Sequence, residues 1–451
     1  MTWAAAALLR STSCSRPIFP FDLPMNRPVV AFLSLGCRVN QYEIRRFIER
    51  LYPLVEITDF GLRADVTVID TCVVTRTAER DTRQMIHRAR RSSPEGLIVL
   101  TGCYVDIHPG AAREIEPGVF VFSRDRKAEI PEWIAGRFGL GALVETTGAP
   151  PLWPSAGRPP LMVQNGCDNR CAYCVIPLAR GPSVSRPADE ILAELGRFFR
   201  DPVAEVVLSG INLGAWGRDL RPRRGLAELV ALLLDHTPDG RRLRLGSVEP
   251  ETVDAGLVAL LGHPGLAPHL HLPLQGTTDA TLAAMRRPNR TGAYLELVES
   301  VRRSAPGCAI GADVIAGFPG ETDEAFSDGL DFVRRCGFSY LHVFPFSARP
   351  GTAAATMKAL PPEVVKARAA RLRELAGGLR AAFLVRQQGR TVEVAVEEIR
   401  SDGRATGMAG PFFPVRFPFD APMPQGLVEV RCVRQEGDGF AGEYACAPKT
   451  T

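Results

Sequence analysis

From Val29 onward the chain alternates short apolar runs with polar stretches whose apolar residues recur at helical spacing. "VVAFLSLGC" (Val29 to Cys37) reads as a strand that ends in a turn. "QYEIRRFIERLY" after it puts Ile44, Phe47, Ile48 and Leu51 on one helical face. "DVTVIDTC" (Asp65 to Cys72) and "GLIVLTGC" (Gly96 to Cys103) repeat the strand, with an arginine-rich helix between them. Strands that alternate with helices predict a doubly wound parallel sheet. "TTGAPPLWPSAGRPP" (Thr146 to Pro160) reads as a linker. Six further strand signals follow, "PLMVQNG", "AEVVLSG", "RLRLGSVEP", "HLHLPLQG", "AIGADVIAGFPG" and "YLHVFPFSARPG". They predict a partial (β/α)6 barrel. A long basic helix leads into short alternating strands broken by Gly and Pro, from Gly389 to Ala445, which predict a small all-β barrel. The fold class is therefore α/β with a small β-module. The segments are 28–145, 158–382 and 385–448, preceded by 1–27, a disordered extension or a start placed too early, with Met25 as the true beginning.

Composition changes this picture little. Hydrophobic residues make up 45% and charged residues 23%, a globular profile. No run of about 18 apolar residues occurs, so no membrane span is expected. "WAAAALLR" is too short for a secretory signal and has no basic residue before it. The net charge of +4 permits a nucleic-acid partner without demanding one. "RTAERDTRQMIHRARR" (Arg76 to Arg91) concentrates basic charge, which as a lone feature reads as a solvated helix face. The 11 cysteines are widely spaced, which suits thiolate ligands in a cytoplasmic protein better than disulfides.

The placement of those cysteines is informative. Cys37, Cys72 and Cys103 each follow a strand, and strand C-termini of a parallel sheet share one edge, so the three should meet there. Three buried apolar cysteines are the bland alternative, but three at the same structural phase favour a shared ligand. Cys167, Cys171 and Cys174, in "NGCDNRCAYCVIP", have the spacing C-x3-C-x2-C with an aromatic, Tyr173, before the last. Such spacing suits one corner of an iron–sulfur cube, which needs four ligands. Structural zinc also needs four, and no nearby Cys or His completes the set. One iron is left for an exogenous chelator. Cys14, Cys308, Cys336, Cys432 and Cys446 have no cluster spacing.

That motif resembles the radical S-adenosylmethionine (radical SAM) superfamily. From about 28 to 447 the chain resembles its methylthiotransferase branch, on "SLGCRVNQYE", "DTCVVTRTAERDTRQ", "LTGCY", "GCDNRCAYCVIPLARG", "EVVLSGINLGAWG", "HLHLPLQG", "GADVIAGFPGETDEAF" and "HVFPFSARPGT". The resemblance implies an N-terminal domain, a radical SAM barrel and a TRAM β-barrel. It implies two [4Fe–4S] clusters, on Cys37, Cys72 and Cys103 and on Cys167, Cys171 and Cys174, with SAM as methyl donor and radical source. "GCRVNQYE" and "DTCVVTRTAERDTRQMIHRARR" look most like the enzymes that place a methylthio group on C2 of N6-threonylcarbamoyladenosine in tRNA. The partners implied are the tRNA anticodon loop, a sulfur donor and a low-potential electron donor. Relatives acting on isopentenyladenosine or on a ribosomal-protein aspartate are the alternative, and a non-catalytic iron–sulfur RNA-binding redox sensor is the alternative of another class.

The resemblance also implies SAM contacts, while leaving the catalytic residues unassigned. Tyr173 stands beside the cluster. Gly210 in "LSGINLG" lets the backbone approach the methionine end, and Ser247 and Glu249 of "SVEP" sit at a strand terminus, where turn and capping work is the equal alternative. Ile315 and Gly317 of "GADVIAGFPGE" suit an adenine contact, against a plain core role for Ile315. His269, His271 and Gln275 alternate onto one face. The resemblance tips Gln275 towards the site and leaves the histidines open. "QGTTD", "GMAGPFFPV" and Leu178 depart from the family's usual residues.

Overall fold

The computed structural model describes residues 27–143, apart from 53 and 109, and residues 157–446. The proposed N-terminal extension, most of the proposed linker and Cys14 lie outside them. The chain forms two compact units, one of Met1–Ser155 with Val175–Gly181, the other of Ala156–Cys174 with Pro182–Thr451.

The first unit holds strands β1 (Val29–Ser34), β2 (Glu56–Thr58), β3 (Val66–Thr71), β4 (Leu97–Gly102) and β5 (Phe120–Val121). They pair in the order β2-β1-β3-β4-β5, all parallel. β3 is buried along its whole length, as a central parallel strand covered on both faces must be. Val66, Val68 and Val99 pack with Ile44, Phe47 and Leu51 on one face, while Ile69, Ile98 and Leu100 pack with Ile86 and Ala89 on the other. Helices therefore cover both faces, as the alternation predicted. The helix Arg76–Ser92 starts at Thr75, whose side chain accepts from the Ala78 N–H, and it buries Thr82, Ile86 and Ala89.

The second unit begins with β6 (Pro160–Asn165), β7 (Val184–Ser185), β8 (Glu205–Gly210), β9 (Arg242–Leu245), β10 (His269–His271), β11 (Ala309–Ala316) and β12 (Tyr340–Pro345). They form the sheets β7-β6-β8-β9 and β10-β11-β12, and bridges Leu243↔Leu266 and Ser247↔His271 join the facing edges. The six predicted strands are all present and run parallel in chain order, and β7 adds a short antiparallel edge. The helix Pro362–Val385 leads to β13 (Thr391–Ile399), β14 (Arg404–Ala409), β15 (Pro414–Pro418), β16 (Val428–Glu436) and β17 (Gly439–Cys446), a closed barrel.

A buried ionic cluster ties this barrel to the strands before it. Glu205 accepts from Arg242 and Arg244, each through a 2.6 Å bond from Nε, and from Arg158 at 3.3 Å. The guanidiniums continue to the carbonyls of Met408, Ala409 and Gly410, and Arg158 reaches Glu397. Burial would raise the Glu205 carboxyl, but Arg244 and Arg242 outweigh it and hold it well below the usual range.

Candidate functional site

Cys37 caps the helix Arg38–Leu51, Cys72 follows β3 directly, and Cys103 opens the helix Cys103–Ile107 after β4. The parallel sheet delivers all three to one edge. They lie close enough for Cys37 and Cys72 to act on the Cys103 thiol. Burial pushes that thiol up to about 12, with Arg180 opposing the rise. Burial also raises Cys72, against a backbone N–H from Val74. Buried thiols surrounded by donors are poor apolar filler and suitable metal ligands, because a bound metal takes the place of the proton.

Beneath them lies a buried platform that sequence reasoning missed. Asn40 approaches Cys37 Sγ at 3.2 Å and donates to Asp70 Oδ1 at 2.6 Å. Lys127 donates to Asp70 at 2.9 Å and to Glu43 at 2.6 Å. Arg180 donates to Asn40 at 2.9 Å and to Glu43 at 3.1 Å. Gly102, at φ +96°, must be glycine, since a Cβ there would come 2.2 Å from the Asp70 carboxylate. Asn40 and Asp70 stand in the words around Cys37 and Cys72, so their nearness to those cysteines was a usable signal. Lys127 gave none, and Arg180 stands in the word around Cys167, Cys171 and Cys174 rather than near the triad it serves.

The second motif is a loop pinned by its backbone. Ala172 donates to the Met285 carbonyl, Ala354 to the Ala172 carbonyl, and Cys174 to Cys171. Cys167, Cys171 and Cys174 are all partly exposed. Asn212 Nδ2 points at Cys167 Sγ at 3.9 Å and Arg287 NH1 at Cys171 Sγ at 3.8 Å, which are donors suited to thiolates rather than thiols. Tyr173 packs with Ile315 around Phe318 and Met285, so the aromatic before the last cysteine and the apolar residue of β11 share one cluster. Arg287 was not anticipated. It also holds Glu249, which makes the Glu249 carboxylate an ion-pair partner rather than a helix cap.

The other sequence candidates fall at strand ends of the same unit. Gly210 closes β8, where a side chain would meet the Gln164 amide oxygen, itself bound by the Asn212 N–H. Ser247 is exposed and bridges to His271. Gln275, at φ +68°, extends the pairing with β11, donating to the Asp313 carbonyl and accepting from Ile315. Gly317, at φ +74°, ends that strand and faces Val365.

The undecided histidines join one polar chain. The Tyr340 hydroxyl lies 2.7 Å from His269 Nε2 and 2.9 Å from His271 Nδ1. Asp313 Oδ1 lies 3.2 Å from His271 Nε2 and 3.0 Å from His342 Nδ1. Burial holds His269 well below the usual range, so it is neutral. Burial would raise Asp313, but His271 and His342 outweigh it and keep it an anion. The chain runs from buried His269 to His342, whose side chain is 52% exposed.

The family pattern of the Radical SAM superfamily matches residues 161–333, and that of Uncharacterized protein family UPF0004 matches residues 29–123. The chain is 35% identical over 420 residues to the threonylcarbamoyladenosine tRNA methylthiotransferase MtaB of Chlamydia pneumoniae, covering 91% of this chain and 97% of the relative. It is 33% identical over 431 residues to the tRNA-2-methylthio-N(6)-dimethylallyladenosine synthase of Cereibacter sphaeroides, again covering 91% and 97%. Among solved structures it resembles the radical S-adenosylmethionine methyltransferase TsrM of Kitasatospora setae, with a TM-score of 0.55 at 14% identity over 73% of this chain and 74% of that one, a likeness of fold. No helix among the described residues is long and apolar enough to cross a membrane. With relatives of this identity matched over nearly their whole length, the chain belongs to the radical SAM methylthiotransferase family, enzymes whose chemistry uses a [4Fe–4S] cluster and SAM.

Proposed function

We propose that this enzyme places a methylthio group on C2 of N6-threonylcarbamoyladenosine in the anticodon loop of tRNA. The observation that carries this reading is the meeting of Cys37, Cys72 and Cys103 at one sheet edge, above buried Asn40 and Asp70. Three thiols apart from the SAM motif are what a sulfur-inserting enzyme needs for a second cluster. The choice of base rests on the similarity to relatives named for threonylcarbamoyladenosine, while a relative named for dimethylallyladenosine keeps that base as the second reading.

In this reading Cys167, Cys171 and Cys174 hold the cluster that binds SAM and supplies its reductive cleavage, and Cys37, Cys72 and Cys103 hold the one that presents sulfur. Arg287 and Asn212 stabilise the first set of thiolates. Tyr173 and Ile315 would give SAM an apolar wall, and Gly210, Ser247, Glu249, Gln275 and Gly317, at the strand ends, would contact the rest of it. A sulfur donor and a low-potential electron donor complete the reaction. The protein's own contribution is to bind, orient and keep water from a radical.

The reconstituted protein should hold about eight irons, two cubes of four. Replacing either cysteine triad by alanine should halve this. Without Cys37, Cys72 and Cys103, 5′-deoxyadenosine should still form while methylthiolation stops. Nucleosides from a deletion strain should lose the 2-methylthio form of threonylcarbamoyladenosine and regain it with the gene. Loss of the isopentenyl form instead would select the second reading.

A further inference from the structure

We propose that Arg180 is the positioning residue of the second cluster and sets its reduction potential, an inference that rests on the two-cluster reading above. Arg180 ends the helix Ile176–Arg180, six residues beyond Cys174 in the chain. Val175 and Ala179 of this segment pack against Cys103, Tyr104 and Val73, which fixes the helix beside the Cys103 thiol. From there the charge of the guanidinium acts on the Cys103 thiol and on Cys37. Its two terminal nitrogens donate to Asn40, at 2.9 Å, and to Glu43, at 3.1 and 3.2 Å. Asn40 in turn touches Cys37 Sγ and Asp70, and Asp70 stands two residues before Cys72. Arg180 thus sits on a helix packed against Cys103 and reaches Cys37 through Asn40.

Charge makes this contact more than packing. Lys127 lies between Asp70 and Glu43, with both carboxylates within 2.9 Å, so its charge is spent on them. Two cations and two carboxylates balance while the thiols are neutral. A bound cluster would bring three thiolates to this edge, where Cys103 is buried, Cys72 half-buried and Cys37 exposed, and Arg180 is the cation that acts on Cys103 and Cys37. A guanidinium keeps its charge under all working conditions and offers several directed N–H donors. Hydrogen bonds and positive charge at the sulfurs favour the more negative, reduced cluster, and so raise its potential.

The test isolates the second cluster by replacing Cys167, Cys171 and Cys174 with alanine in the full chain, then adds Arg180→Gln or Arg180→Lys. Iron content and the midpoint of an EPR-monitored redox titration are read for each. The parent should hold about four irons per chain. Arg180→Gln should keep that iron and shift the midpoint to more negative potential, and Arg180→Lys, which keeps the charge, should shift it less. A midpoint that does not move in Arg180→Gln overturns the inference. So does loss of iron from both variants, which would make Arg180 a structural tether. Absence of iron from the parent, with Arg180 intact, would instead strike the two-cluster reading.

Discussion

Gly311 is glycine because Tyr340 lies over it. A Cβ at that position, the third residue of β11, would sit 1.9 Å from the Tyr340 ring. That clearance lets the phenol reach both His269 and His271, and the two histidines hold their places through it. Gly311→Ala should therefore displace Tyr340 and disorder the chain of hydrogen bonds that leads to Asp313 and His342. Overpacking of this kind costs about 1–3 kcal/mol. Anaerobic denaturant unfolding would measure it. Tyr340→Phe keeps the ring and should lose less stability than Gly311→Ala. Equal stability of Gly311→Ala and the parent would show that the ring has room to move.

At the scale of elements, Glu205 on β8 and its arginines decide how the C-terminal barrel joins the strands before it. Arg242 and Arg244 alternate with leucines along β9 and are nevertheless 0% and 1% exposed. They are buried because one carboxylate and a row of backbone carbonyls take up their donors. Removing one member of such a set leaves buried charge uncompensated, at about 3–5 kcal/mol. Glu205→Gln should show a loss of that order in unfolding at neutral pH. The sign with pH follows from a folded-state pKa held below the ordinary value. The contribution is complete above the usual carboxylate range and is lost as pH falls through the folded value. The gap between Glu205→Gln and the parent should therefore narrow in acid. A gap independent of pH would assign the loss to packing alone.

For the whole molecule, the question is how a folded RNA would be held. The helix Arg76–Ser92 begins four residues after Cys72, and Arg83, Arg88 and Arg91 are exposed on it. Arg90, by contrast, is partly buried against Glu116 and the Pro94 and Gly96 carbonyls. The helix starts at the cysteine edge and carries the exposed set away from it, at about 1.5 Å per residue, so these arginines would meet phosphates along that track. Reversing Arg83, Arg88 and Arg91 to Glu should weaken tRNA binding and reduce its salt slope by up to about three. SAM cleavage without RNA should be unchanged. Unchanged affinity for tRNA would return these arginines to the role of a solvated helix face.

Local pattern was enough to read the strands, because alternation and burial on both faces of a parallel sheet are written in consecutive residues. It was also enough to group the six cysteines, since strand phase brings Cys37, Cys72 and Cys103 to one edge and close spacing sets Cys167, Cys171 and Cys174 on one loop. What supports them was decided in three dimensions. Arg180 and Lys127 are ordinary basic residues in sequence, and only the fold brings them to Asn40, Glu43 and Asp70, up to 140 residues away. Arg287 meets Cys171 across 116 residues, and His269, His271 and His342 become one chain only through Tyr340 and Asp313. Buried charge and hydrogen bonding depend on partners, and distant partners leave no periodic trace along a single chain.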